Sequence, residues 1–223
     1  MKASARTFHD RRDAGRVLAR DLCDRISRPD AGDGDLGEIL VLGLARGGVP
    51  VGWEVAQRLK APLDVCLVRK LGAPQWPELA IGALAGGGGV VLNNELIRSL
   101  GVGEDQIRDI VCRETAELHR REKAYRGDRG PVTVSGRTVV LVDDGIATGA
   151  SMIAAVRSVR EAGARRIIVG VPVGPRAACR LLRSEADLVV CSTTPPNFRA
   201  VGQVYADFHQ VSDEEVRELL AAG

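Results

Sequence analysis

Residues 139–151 read VVLVDDGIATGAS: Val139, Val140, Leu141 and Val142, then the adjacent carboxylates Asp143 and Asp144, then a run of Gly and small residues. A short apolar run bounded by a turn is the pattern of a buried strand. A helical pattern starts near Ala150, so the strand delivers two acids to a helix N-terminus, where main-chain N–H groups can receive an anion. Two acidic oxygens beside an anion site are suited to a sugar phosphate. The rest of the chain reads as the frame around that stretch.

Working outward, the same rhythm repeats on both sides. Upstream, Ile39 to Leu44 is apolar and runs into Ala45-Arg46-Gly47-Gly48, and a helix is expected from about Pro50 to Lys60, with Pro50 suited to its first turn. A second strand, Leu63 to Val68, ends in Arg69-Lys70, completing a βαβ unit. Downstream, the pattern predicts a helix over 150–162 ended by Gly163, a strand over 167–171, a helix over 175–183 and a strand over 187–191. Five strands alternating with helices predict an α/β fold with a mainly parallel central sheet and helices on both faces.

Other segments are less regular. An amphipathic helix is expected over 8–27, a loop over 29–37, and a closing helix over 213–222. Residues 71–137 form a helical and hairpin insertion: strands 79–85 and 90–92 around Gly86-Gly87-Gly88-Gly89, then a long helix from Glu104 to Arg126. This insertion is expected to contain whatever moves, and the irregular tail 192–210 to form a small hood. No repeat or second core is visible, so 1–223 reads as a single domain.

Composition narrows the class. Aromatics make up 3% of the 223 residues, so the core must be built from Val, Leu, Ile and Ala, which suits helices on a buried parallel sheet. The 31 basic and 29 acidic side chains nearly balance at +2, which gives no case for a nucleic-acid partner. Cys23, Cys66, Cys112, Cys179 and Cys191 form no CxxC pair and read as free thiols. With no signal core and no long apolar run, a cytoplasmic protein without a membrane partner is expected.

Three glycine-bearing turns follow apolar strands, at 43–48, 70–74 and 143–149, and all three are expected on the carboxyl edge of the sheet. The 145–151 turn lacks the spacing and Lys of a Walker A loop, and 43–48 is not GxGxxG. What remains at 145–151 is a loop whose N–H groups, with the Thr148 and Ser151 hydroxyls, can cradle one phosphate. The plainer reading is that the glycines and Asp144 only make a turn and cap a helix.

VVLVDDGIATGAS resembles the phosphoribosyl-pyrophosphate (PRPP) motif of the type I phosphoribosyltransferases, and the order of parts from about 36 to 192 is also similar. FHDRRDAGRVLA (8–19), ARGGVPVG (45–52), RKLG (69–72) and VYADFHQVSDEEV (204–216) resemble marks of a group of bacterial proteins with that domain. The resemblance implies that Asp143 and Asp144 hydrogen-bond the ribose hydroxyls beside a Mg²⁺ ligated mainly by PRPP itself. It implies that Gly145, Ile146, Ala147, Thr148, Gly149, Ala150 and Ser151 hold the 5′-phosphate. Ala45, Arg46, Gly47 and Gly48 would form the pyrophosphate loop, with a cis non-proline peptide expected near Arg46.

Displacing pyrophosphate from the ribose builds charge on the leaving oxygens, so cations aimed there favour the transition state. Arg46, Arg69 and Lys70 are the candidates; otherwise they are surface charges beside turns. Hypoxanthine-guanine members carry an Asp where this chain has Ala147, so any acid/base must come from elsewhere, and Glu78, Glu114 and Glu117 are open to that role or to a solvated helix face. Arg120, Arg121, Lys123, Arg126 and Arg129, with Tyr125, either close over the pyrophosphate or form a helix exterior. Phe198 and Tyr205 are the candidate base platforms, against plain packing. His9, His119 and His209 are assigned no metal. The expectation is a homodimeric enzyme moving the 5-phosphoribosyl group from PRPP to a nitrogenous base. A non-catalytic PRPP or nucleotide sensor, and a protein acting on a phosphoribosylated compound, are the alternatives.

Overall fold

A computed structural model describes residues 6–28, 36–77, 79–86, 89–127, 130 and 132–222. The first half of the chain runs α1 (Arg11–Ile26), β1 (Ile39–Leu44), α2 (Gly48–Leu59), β2 (Leu63–Cys66), β3 (Val68–Gly72), β4 (Ala80–Ala85) and β5 (Val90–Leu92). It continues with α3 (Asn94–Leu100), α4 (Glu104–Arg126), β6 (Thr138–Val142), α5 (Ala150–Glu161), β7 (Arg166–Val173), α6 (Arg176–Arg183) and β8 (Leu188–Thr193). A 3-10 turn at Val201–Val204 interrupts the tail before α7 (Asp213–Ala221).

The five apolar runs form a parallel sheet in the order β2-β1-β6-β7-β8. Alternation along the strands assigns the two faces. Val41, Val140, Val142 and Ile168 pack with Leu18 and Leu22 of α1 and Val49, Val51 and Val55 of α2. Leu40, Leu42, Val139, Leu141 and Val169 turn the other way, onto Met152, Ala155 and Val156 of α5 and Leu182 of α6. Leu141 is fully buried, and its truncation to Ala removes packing of a kind that commonly costs about 2–5 kcal/mol.

Three elements depart from the sequence reading. The run Leu63 to Val68 is not one strand: it breaks at Leu67, and Val68–Gly72 becomes the first strand of a separate antiparallel sheet, β3-β4-β5. A lone β4–β5 hairpin would be marginal, and β3 supplies the third strand. Arg69 and Lys70 therefore sit within this small sheet opposite Leu84 and Ala83, and the 70–74 turn is not on the main sheet's edge. Second, α1 starts at Arg11 rather than Phe8. The Asp10 carboxylate accepts from the Asp13 N–H, and the Asp13 carboxylate accepts from the His9 N–H, a reciprocal cap that sets the first turn. Third, α3 has no counterpart in the sequence reading, although Asn93 caps its start and Gly101 ends it at φ 64°. Gly87 and Gly88 of the expected hairpin turn lie outside the described residues.

Candidate active site

The register Gly43↔Val142 brings the carboxyl ends of β1 and β6 level with one another. The chain leaves β1 toward β2 on one side and leaves β6 toward β7 on the other, so the crevice between them is the point where strand order reverses. Ligands of open α/β sheets bind at that point. Loops 45–48 and 143–149 flank it. The Ala45–Arg46 peptide bond is cis, as expected of the 45–48 loop.

The two loops touch so closely that their glycines are obligatory. A Cβ on Gly47 would collide with Oδ2 of Asp144. A Cβ on Gly48 would stand 2.9 Å from the Cα of Asp143. The absent side chains are what allow loop 45–48 to lie against the acid pair.

Asp143 and Asp144 are half-buried, and each has one oxygen already engaged. Oδ1 of Asp143 accepts from the Asp144 N–H at 2.9 Å. Oδ2 of Asp144 accepts from Nε of Arg11 at 2.8 Å, and the Asp144 carbonyl accepts from the Tyr205 hydroxyl at 2.6 Å. Burial holds the Asp143 carboxyl well above the ordinary carboxylate range, and the neighbouring Asp144 charge adds to that. Asp144 is also raised by burial, against the pull of the Arg11 guanidinium. Two carboxylates offer oxygen donors of the kind a hard cation takes, and among the described residues no group of three His, Cys, Asp or Glu side chains could hold a metal ion.

Beyond the acids, Ile146 is buried and its N–H donates to Val173 O at 3.0 Å, which pins the loop to β7. Gly149 turns the chain at φ 85° into α5 and offers no capping side chain itself, while the Ala150 N–H donates to Thr148 Oγ1 at 3.4 Å. Ala147, Thr148, Ala150 and Ser151 are exposed or half-exposed around that helix start. First-turn N–H groups and the positive end of the helix dipole are the features that receive a phosphate.

The profile of the phosphoribosyl transferase domain matches residues 18–209. The chain belongs to the phosphoribosyl transferase domain family. A Mycobacterium tuberculosis protein with a provisional phosphoribosyl transferase name is 44% identical over 209 residues, 94% of this chain and 45% of that protein. The chain thus spans about half the length of the curated relatives it matches. The crystal structure of TT1426 from Thermus thermophilus is 44% identical with a TM-score of 0.80, covering 97% of this chain and 98% of that one. A ribose-phosphate pyrophosphokinase of Methanopyrus kandleri is 34% identical over 110 residues, 43% of this chain and 38% of that protein.

The phosphoribosyl transferase domain brings together Asp143, Asp144, loop 145–151 and loop 45–48, as the sequence led one to expect. Other candidates are placed differently. Arg46 lies 3.5 Å from the Asp213 carboxylate at the start of α7, and the same oxygen accepts from the Tyr125 hydroxyl at 2.6 Å. Arg69 gives both Nε and Nη2 to Glu114 of α4, at 2.9 and 2.6 Å. Glu114 is thus an ion-pair partner, not a solvated side chain, and Arg69 holds its carboxyl below the usual range against the opposing effect of burial. Lys70 stands exposed on β3. Glu117 binds Arg120 and Arg121, and Arg126 turns away to a buried Asp64 at 3.0 Å, so these basic residues of α4 do not act as a unit. Glu78 and Arg129 lie outside the described residues.

Tyr205 has a packed ring in the structure, not one left exposed as a platform. Its ring is buried between Phe8 at 5.6 Å and Phe208 at 4.9 Å, and its hydroxyl is tied to the acid pair. Phe198 is half-buried against the same cluster. The exposed ring of this segment is Phe208, 39% accessible. Arg11 falls inside the 8–19 motif, but the sequence reading gives it no part. Its contact to Asp144 spans 133 residues of sequence, and no local pattern announces such a pairing.

Proposed function

We propose that the domain transfers the 5-phosphoribosyl group from PRPP to a nitrogenous base, releasing pyrophosphate with Mg²⁺ present, and that residues 1–223 act as one domain in a cytoplasmic homodimer. The observation that carries this reading is the contact of the Gly47-Gly48 loop with the Asp143–Asp144 pair at the strand-order reversal. That contact supports the reading in which the main chain of two loops receives anions on either side of two oxygens that accept from a sugar.

In this reading Asp143 and Asp144 accept from the ribose hydroxyls and hold the ring. Residues 145–151 receive the 5′-phosphate on their N–H groups and the Thr148 and Ser151 hydroxyls, except Ile146, whose N–H is committed to Val173 O and which therefore shapes the loop instead of donating to the phosphate. Ala45 to Gly48 receive the pyrophosphate, with Arg46, Arg69 and Lys70 as its cations, Arg46 leaving Asp213 and Arg69 leaving Glu114 to do so. Asp143 and Asp144 would stand beside a Mg²⁺ brought mainly by PRPP, and such an ion would supply positive charge where the pyrophosphate departs. The chain's own part is positioning and charge complementarity, the dominant sources of rate in such displacements.

A second reading, a PRPP or nucleotide sensor without turnover, is favoured by one observation: Arg46 and Arg69 are already paired with Asp213 and Glu114. The two readings separate on pyrophosphate release from PRPP and Mg²⁺ across a panel of nucleobases. Turnover with any base supports the transferase; tight PRPP binding with no turnover on the full panel supports the sensor. Asp144→Asn tests the site itself. Unchanged PRPP affinity and turnover in that variant would show the site to be wrongly placed.

A further inference from the structure

We infer that Arg11 is a positioning residue for the acid pair: it takes Oδ2 of Asp144, so that Oδ1 of Asp144 and Oδ2 of Asp143 are the two oxygens left to face the ribose hydroxyls. This rests on the PRPP reading above.

The pairing is constructed from several independent contacts. Side-chain exposures are 9% for Arg11 and 14% for Asp144, so both charges are largely withdrawn from water. Such a pair is retained at a desolvation cost that only good geometry offsets. Here the guanidinium forks: Nε goes to Asp144 at 2.8 Å and Nη1 to the His209 carbonyl at 2.6 Å. Its carbon lies over the Phe208 ring, 4.0 Å from the centroid.

The segments that deliver Arg11 are themselves tied together. The Phe8 N–H donates to Val204 O at 2.7 Å, Ala206 N–H to Phe8 O at 2.9 Å, and Asp207 N–H to His9 O at 2.8 Å. The Asp10–Asp13 cap then places Arg11 in the first turn of α1. Tyr205, from the same tail, donates to the main-chain carbonyl of the residue whose carboxylate Arg11 holds. The beginning of α1 and the 204–209 tail therefore converge on Asp144.

The chemistry explains why an anchor is needed. Two adjacent half-buried carboxylates repel one another, and an Asp144 carboxylate with no partner would be free to rotate. Asp143 is oriented from within its own loop, by the Asp144 N–H; Oδ2 of Asp144 is oriented from outside it. Arg11 supplies that donor, at 2.8 Å from its Nε. With one oxygen of each acid engaged, the remaining two define a single acceptor pair rather than an interchangeable set of four. A donor fork of this geometry is not reproduced by Lys, which offers a point charge on a flexible stem.

The experiment is a double-mutant cycle on PRPP binding, measured by calorimetry with Mg²⁺ on the full chain: wild type, Arg11→Gln, Asp144→Asn and the double variant. Residues coupled through one network show interaction energies that translate to roughly tenfold changes. Arg11→Gln is expected to weaken PRPP binding about tenfold in the wild-type background and less than about twofold beside Asp144→Asn. Equal losses in both backgrounds overturn the inference, since Arg11 would then act only by holding the tail. No loss in either background also overturns it. If Arg11→Gln does not fold, Arg11→Lys carries the test: it keeps the charge without the fork, and partial loss of affinity supports the inference while wild-type affinity overturns it. A wild-type chain that binds no PRPP overturns the proposed function, a failure visible before any variant is made.

Discussion

Gly47→Ala places one methyl group where the acid pair already stands. The new Cβ would collide with Oδ2 of Asp144, the oxygen held by Arg11 at 2.8 Å. The two atoms must part by roughly 1 Å, which is an overpacking strain of about 1–3 kcal/mol. Two escapes are open. The carboxylate can swing away, losing a charge-assisted hydrogen bond worth about 1.5–3 kcal/mol. Alternatively, loop 45–48 can back off, but a Cβ-free Gly48 is wedged against Asp143 on the other side. Either escape separates the two halves of the proposed PRPP site, and a displacement of about 1 Å in such a constellation commonly costs on the order of 100-fold. The unfolding temperature should fall by about 2–12 °C, given roughly 2–4 °C per kcal/mol for a chain of this size. Calorimetric titration with PRPP and Mg²⁺ should show affinity falling by about two orders of magnitude. PRPP affinity within about twofold of wild type would refute the reasoning, because it would mean that the close contact of the two loops is not part of the binding state.

Two further outcomes follow from the geometry. Tyr205→Phe removes the hydroxyl that donates to Asp144 O, and should lower stability by about 1–2 kcal/mol in denaturant unfolding while leaving the order of preferred acceptor bases unchanged; an altered base preference would return Tyr205 to the acceptor side. Asp143 has a folded-state pKa raised by burial and by Asp144, so its stabilising contribution is present below the unfolded carboxylate range and lost as pH rises through the raised value. Asp143→Asn should therefore raise the unfolding temperature at about pH 7 and lose that advantage as pH falls toward about 4, while PRPP binding is weakened near neutral pH. A variant less stable than wild type at neutral pH would contradict the assignment of burial as the cause.

Much of the frame is local and legible in the sequence. Each strand of the main sheet is an apolar run next to a glycine-bearing or polar break, and each helix that follows has the spacing to cover one face; short-range pattern therefore predicts β1, β6, β7 and β8 to within a few residues. The acid pair and its small-residue turn are likewise contained in one stretch, because strand, carboxylates and helix start are consecutive in the chain. The break at Leu67 is hidden for the opposite reason. Leu63 to Val68 is apolar almost throughout, and only the pairing of Val68–Gly72 with β4 separates it into two strands in two sheets.

What the tertiary structure alone decided is which charges face one another. Arg69 meets Glu114 across 45 residues, Arg126 meets Asp64 across 62, and Arg11 meets Asp144 across 133. No periodicity encodes such pairings, since they depend on how helices are laid over the sheet and not on the residues beside them. The sequence by itself determined that VVLVDDGIATGAS ends a buried strand in two acids and a phosphate-sized turn. The fold decided that one of those acids is held from outside its own loop, by an arginine from the first helix and a tyrosine from the tail, because only chain closure brings the beginning of α1 and the 204–209 tail to the crevice between β1 and β6.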